Sequence, residues 1–122
     1  ATVASAWRQR AAAVALPAAP PEWVRRPLDV GGDAPPTDTK LRAAILAEQQ
    51  AREALRREVE GLRLNGMTLG QAAQKDRAIE RGLSRAVDEA RVTRTEYKPN
   101  GAASVRLRLD GRTVWEQIRR ER

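Results

Sequence analysis

The sequence predicts an α+β fold: two long helices packed on a small antiparallel sheet, with a C-terminal short helix, preceded by an extended N-terminal arm. Three observations predict it. The stretch AASVRLRL alternates with period two, placing Ala103, Val105, Leu107 and Leu109 on one side and Ser104, Arg106 and Arg108 on the other. A run rich in β-branched residues, Arg91–Tyr97, precedes it across a Lys98–Gly101 turn, so the two segments read as a hairpin. Upstream, apolar residues recur at helical spacing in two separate segments.

Taken in order, residues 1–16 favour helix through their alanine content, and Val3, Trp7, Ala11 and Val14 form one modestly apolar stripe. So short a segment does not hold a helix alone, so this arm is either loose or docked. Residues 17–38 hold six of the seven prolines and a Gly31-Gly32 pair, and read as an extended connector rather than a packed element. Trp23 and Val24 stand out in it. They are either folded back on their own domain or anchors that pin the arm to a neighbouring subunit.

Asp38 or Thr39 caps the first long helix. Leu41, Ile45, Leu55, Val59 and Leu62 lie close to one of its faces, with Ala44, Ala47, Ala51 and Ala54 alongside and a charged face opposite; it is expected to stop around Gly61. Leu62–Leu64 reads as a short strand before an Asn65-Gly66 turn, and Thr68-Leu69-Gly70-Gln71 has the form of a capping box. Asp76 starts another helix, with Ile79, Leu83, Ala86, Val87 and Ala90 on one side; Gly82 is expected to let it approach the first helix. Beyond the hairpin, Gly111 breaks the alternation, and Val114, Trp115 and Ile118 mark the short terminal helix. The chain therefore divides into an arm and proline-rich linker, residues 1–38, and an α+β assembly domain, residues 39–122.

The interior is thin. Of the 122 residues, 22 are alanine, only 23 are Leu, Ile or Val, and there is no Phe. Aromatic side chains normally carry much of a core's buried area, so a chain this poor in them draws stability from partners. With neither Cys nor His, disulfides, thiolate nucleophiles and most zinc sites are excluded. Asp88 and Glu89 are adjacent on a helix and do not face each other. Ser84 and Ser104 have no histidine partner, and GMTLG lacks the lysine and preceding strand of a phosphate loop. No catalytic residue, cofactor or metal is expected. No apolar run reaches the length of a membrane span.

The net charge of +7 lies wholly in residues 40–122. A small basic binding module is therefore the alternative reading. Arg94, Arg106 and Arg108 on one hairpin face would meet phosphates, or the Trp7, Arg8 and Arg10 stripe an anionic membrane surface. Interspersed acids and the lack of aromatic platforms weigh against nucleic acid.

The leading expectation is a structural homopolymer, a ring, tube or filament. The hairpin's exposed edge would be completed by another copy, and the arm would span to a second neighbour. The expected subunit-interface residues are Trp7, Val14, Trp23, Val24, Val92, Tyr97, Val105 and Trp115. Deleting residues 1–38 is expected to release soluble domains. The start at Ala1, with Met67 the only methionine, is expected of a chain shortened at its N-terminus by removal of an export signal or otherwise.

The pieces KLRAAILAEQQAREALRREVEGLRL and MTLGQAAQKDRAIERGLSRAVDEARVTRTEYKPNGAASVRLRLDGRTVWEQI, with PEWV ahead of them, carry a further signal. In texture and order this stretch, roughly residues 22–118, resembles the small bacterial outer-membrane lipoprotein family that includes the flagellar basal-disk protein FlgP. The resemblance implies an exported, non-enzymatic α+β protein of the periplasm, the outer membrane or the cell exterior. It also implies self-assembly into large rings and, as possible partners, outer-membrane or flagellar envelope components. Lipoproteins of that family keep an acylated cysteine that this chain lacks. It is thus either a non-lipidated relative or a chain that begins after the anchor.

Overall fold

The structure, a computed structural model, describes residues 14–122. A turn of 3-10 helix, Glu22–Arg25, leads into strand β1, Pro27–Ala34. Helix α1 spans Lys40–Glu60 and is followed by a minimal hairpin, β2 (Arg63–Leu64) and β3 (Met67–Thr68). Helices α2 (Leu69–Lys75) and α3 (Arg77–Asp88) come next, then strands β4 (Arg91–Tyr97) and β5 (Ala103–Asp110), and finally helix α4 (Gly111–Glu121). The class is α+β, with a small antiparallel sheet and a C-terminal helix. Helix α3 has 12 residues against 21 in α1, so a single long helix dominates.

The main sheet has the order β1-β5-β4 and is antiparallel throughout. Its first strand comes from the segment that reads as an unpacked connector, and this corrects that expectation. All eight residues of β1 pair with β5, from Pro27 opposite Asp110 to Ala34 opposite Ala103. Proline is tolerated because it opens an edge strand, where a missing N–H costs no ladder bond. Leu28, Val30, Gly32 and Ala34 turn toward α1, and Asp29, Gly31 and Asp33 turn away. The outer side of β5 is thus completed by the chain itself, not by another copy.

Helix α1 lies across β1 and β5 with Ala43, Ala47, Ala51, Leu55 and Val59 buried beneath it. Leu55, Val59, Ala47 and Ala51 are buried as expected, but Leu41 and Ile45 are not, at 67% and 49% exposed. The reason is the closeness of the contact. A Cβ on Gly32 would stand 2.3 Å from both the Ala47 carbonyl oxygen and the Ala51 nitrogen. Only alanine fits the helix side of so tight an approach, and the bulky residues move to the flank. Two arginines of the charged side also dock. Arg56 reaches Glu80 at 2.6 Å and donates to the Ser84 hydroxyl at 3.2 Å, while Arg52 donates to the Val87 carbonyl at 2.9 Å.

The core continues through Leu64, Leu69, Ile79, Leu83, Leu107, Val114 and Ile118, all fully buried. Gly82 serves α4 rather than α1, since a Cβ there would meet the Ile118 Cα at 2.8 Å. The local signals hold where they are short-range. Thr68 and Gln71 form the reciprocal capping box of α2, and Asp76 caps α3 by accepting from the Ala78 N–H at 2.9 Å. Asn65 and Gly66 both take positive φ, 49° and 82°, which suits a tight turn between twisted strands.

Candidate functional site

The surface that stands out is the outer edge of β4. All seven of its residues are exposed, and among the described residues its only sheet neighbour is β5. Cross-strand partners share a face. Val92, opposite Leu107, Thr95, opposite Val105, and Tyr97, opposite Ala103, therefore lie on the helix-bearing side. Helix α1 is centred on β1 and β5 and barely reaches β4, which leaves Val92 43% and Tyr97 48% exposed. The register is irregular between Val92 and Arg94, where Thr93 is the extra residue and its hydroxyl donates to the Arg106 carbonyl.

Helix α1 also leaves large apolar side chains exposed. Leu41, Ile45, Glu48 and Arg52 follow one another at three- and four-residue spacing, on one side of the helix. Arg52 bonds the end of α3, which leads directly into β4.

Among the described residues the opposite face of the sheet carries no helix, and it is charged. Arg91 stands across from Arg108, and Arg94 across from Arg106. Like charges directly opposite cost stability unless acids intervene. Asp29 accepts from Arg106 at 3.0 Å and 3.2 Å, and Glu96 and Asp110 lie 3.7 Å and 3.9 Å from Arg94 and Arg108. Arg91 makes no ion pair among the described residues. It lines a shallow polar depression with Glu89, Thr93, Arg108 and Thr113.

The structure separates the expected interface residues into two groups. Val14, Val105 and Trp115 are buried within the chain. Trp23 packs edge-to-face on Trp115, ring centroids 6.1 Å apart, and donates its indole N–H to the Arg63 carbonyl at 2.8 Å. Val24 is partly buried against the same core. Val92 and Tyr97 alone of the described set lie on a free edge, and Trp7 falls outside the described residues. Sequence reasoning missed Leu41 and Ile45 as surface residues. Hydropathy and spacing along α1 carry no signal that would have found them, because Leu41 and Ile45 are more apolar than the buried Ala43 and Ala47.

Among the described residues, no group of three or more His, Cys, Asp or Glu is placed to hold a metal ion, and no helix is long and apolar enough to cross a membrane. Comparison of the chain with protein-family models, with curated proteins and with solved structures finds no match.

Proposed function

We propose that the chain is a structural protein that works as a homo-oligomer or homopolymer, with the β4 edge as a subunit contact. The observation that carries this reading is the edge itself, a strand unpaired among the described residues with Val92 and Tyr97 exposed on it. Unpaired edges template further strands, and exposed apolar side chains next to one add a hydrophobic incentive. The resemblance to the FlgP-containing family supports the same reading and extends it by analogy. The assembly would be a ring, tube or filament of a bacterial envelope or exterior, and the chain would have no catalytic role.

Sedimentation velocity from micromolar concentrations upward, with negative-stain microscopy of the same samples, tests the proposal. The expected result is reversible, concentration-dependent growth in mass. A stable, fully folded monomer at every concentration would overturn it.

A second reading has its own observation. The facing pairs Arg91–Arg108 and Arg94–Arg106 would be relieved by a polyanion laid on the open sheet face. Asp29, Glu96 and Asp110 already neutralise much of that charge, which is why this reading ranks second. Steeply salt-dependent binding to nucleic acid or anionic vesicles, without self-association, would put it first.

A further inference from the structure

We infer that β4 pairs antiparallel with β4 of a second copy, about a two-fold axis that passes through Thr95 perpendicular to the sheet. The inference rests on the self-association proposed above and specifies its partner strand, symmetry and register.

Few residues can sit on such an axis. When both copies keep their helices on the same side of a continuous sheet, residues directly opposite share a face, and the axis passes through a single position. The irregularity between Val92 and Arg94 ends the regular strand on one side, and the Lys98 turn ends it on the other. Arg94, Thr95, Glu96 and Tyr97 are the possible centres. Centring on Arg94 sets arginine against arginine. Centring on Glu96 sets glutamate against glutamate and Arg94 against Lys98. Centring on Tyr97 runs Thr95 against Pro99, which has no N–H to give.

Thr95 alone gives a self-complementary register. It puts an uncharged β-branched pair on the axis. Arg94 of each copy then faces Glu96 of the other on the open face of the sheet, twice by symmetry. On the helix face, Tyr97 falls opposite the bulge of the second copy and beside its Val92. Edge charges commonly block strand addition. In this sequence they oppose the wrong registers and favour one.

The other edge of the sheet is the less suited partner. Strand β1 opens with Pro27 and runs into Pro35 and Pro36. Its Leu28 and Val30 are already partly covered, and Asp29 and Asp33 are held by Arg106 and Ser104. A two-fold contact also closes on itself, so a polymer of this chain would be built from β4-paired dimers joined by a second, different contact.

Two sets of full-length variants test the register. The chain contains no cysteine, so Thr95→Cys introduces a single thiol. Opposed residues of an antiparallel pair stand about 4.5–5.5 Å apart at Cα, within the span of a disulfide. Air oxidation is expected to link this variant to itself in high yield, with the same thiol at Arg42, on the exposed surface of α1, as the unlinked control. Arg94→Glu alone and Glu96→Arg alone are expected to weaken self-association at least about tenfold, and the double swap to restore it. Circular dichroism and urea midpoints measured on the monomeric fraction show that each variant is folded.

Self-association that persists with no linkage at position 95 and no response to the swaps would overturn the register, while leaving the structural reading in place. A wild-type chain that is monomeric at every concentration overturns both.

Discussion

Gly32 and Gly31 show how much one hydrogen in place of a methyl group decides. They are neighbours on β1, yet a Cβ on Gly32 would stand 2.3 Å from α1 backbone atoms, whereas one on Gly31 would meet nothing nearer than an Arg106 side-chain nitrogen at 3.4 Å. Gly32→Ala is therefore expected to destabilise the fold by about 2–3 kcal/mol through overpacking against rigid backbone. Gly31→Ala is expected to stay within about 0.5 kcal/mol. Urea denaturation of the pair reads the difference directly. The side chain with the most to lose is Trp23, which joins the 3-10 turn to α4 through Trp115 and to β2 through the Arg63 carbonyl. Trp23→Phe keeps a ring against Trp115 but drops the hydrogen bond, an expected cost of about 1 kcal/mol. Trp23→Ala loses both, and near-ultraviolet dichroism should report the altered surroundings of Trp115. Both readings of Trp23 were open in the sequence, because a tryptophan in a proline-rich segment says that it is buried without saying against what.

At the scale of elements, signals contained within a few residues were legible. Thr68 and Gln71 cap α2 reciprocally, so Thr68→Ala is expected to cost about 1 kcal/mol and to raise amide exchange in the first turn of that helix. The facing of α1 was not legible in the same way. Hydropathy ranks Leu41 and Ile45 above Ala43 and Ala47, but the contact with β1 selects by size, and size is judged against a partner the helix does not contain. The charged side of α1 misleads for the same reason. Arg56 looks like one member of an exposed i,i+4 network, yet it ties α1 to α3 through Glu80 and Ser84. Arg56→Ala and Glu80→Ala are each expected to cost about 1 kcal/mol, discounted for partial exposure, and the double variant less than their sum. A double-mutant cycle that adds without coupling would show the bridge to be unimportant.

For the whole molecule, the decisive feature is that the sheet is completed on one side by the segment that reads as a linker. Removing residues 1–38 deletes β1, Trp23 and the buried Val14 together. The shortened chain is thus expected to lose its cooperative urea transition rather than to yield a free, folded domain. A domain of this size has only about 5–15 kcal/mol of stability to lose. Equilibrium denaturation of the truncated chain, read by far-ultraviolet dichroism, checks this; a sharp native-like transition would show that β5 and β4 stand without β1. With β1 in place the sheet keeps one edge that the chain does not blunt with proline, and that is β4.

What the sequence determined by itself is the α+β class, the β4–β5 hairpin with its alternating strand, the helix caps, and the thin alanine-rich interior. Each of these depends on atoms a few residues apart, and the code for them is local. What only the tertiary structure decided is which weak segment becomes β1, which face of α1 is buried, that α4 rather than α1 is the partner of Gly82, and that Val92 and Tyr97 are left at an open edge. Those outcomes are set by close approach between distant parts of the chain, where a missing Cβ or a neighbouring backbone outweighs propensity and hydropathy alike.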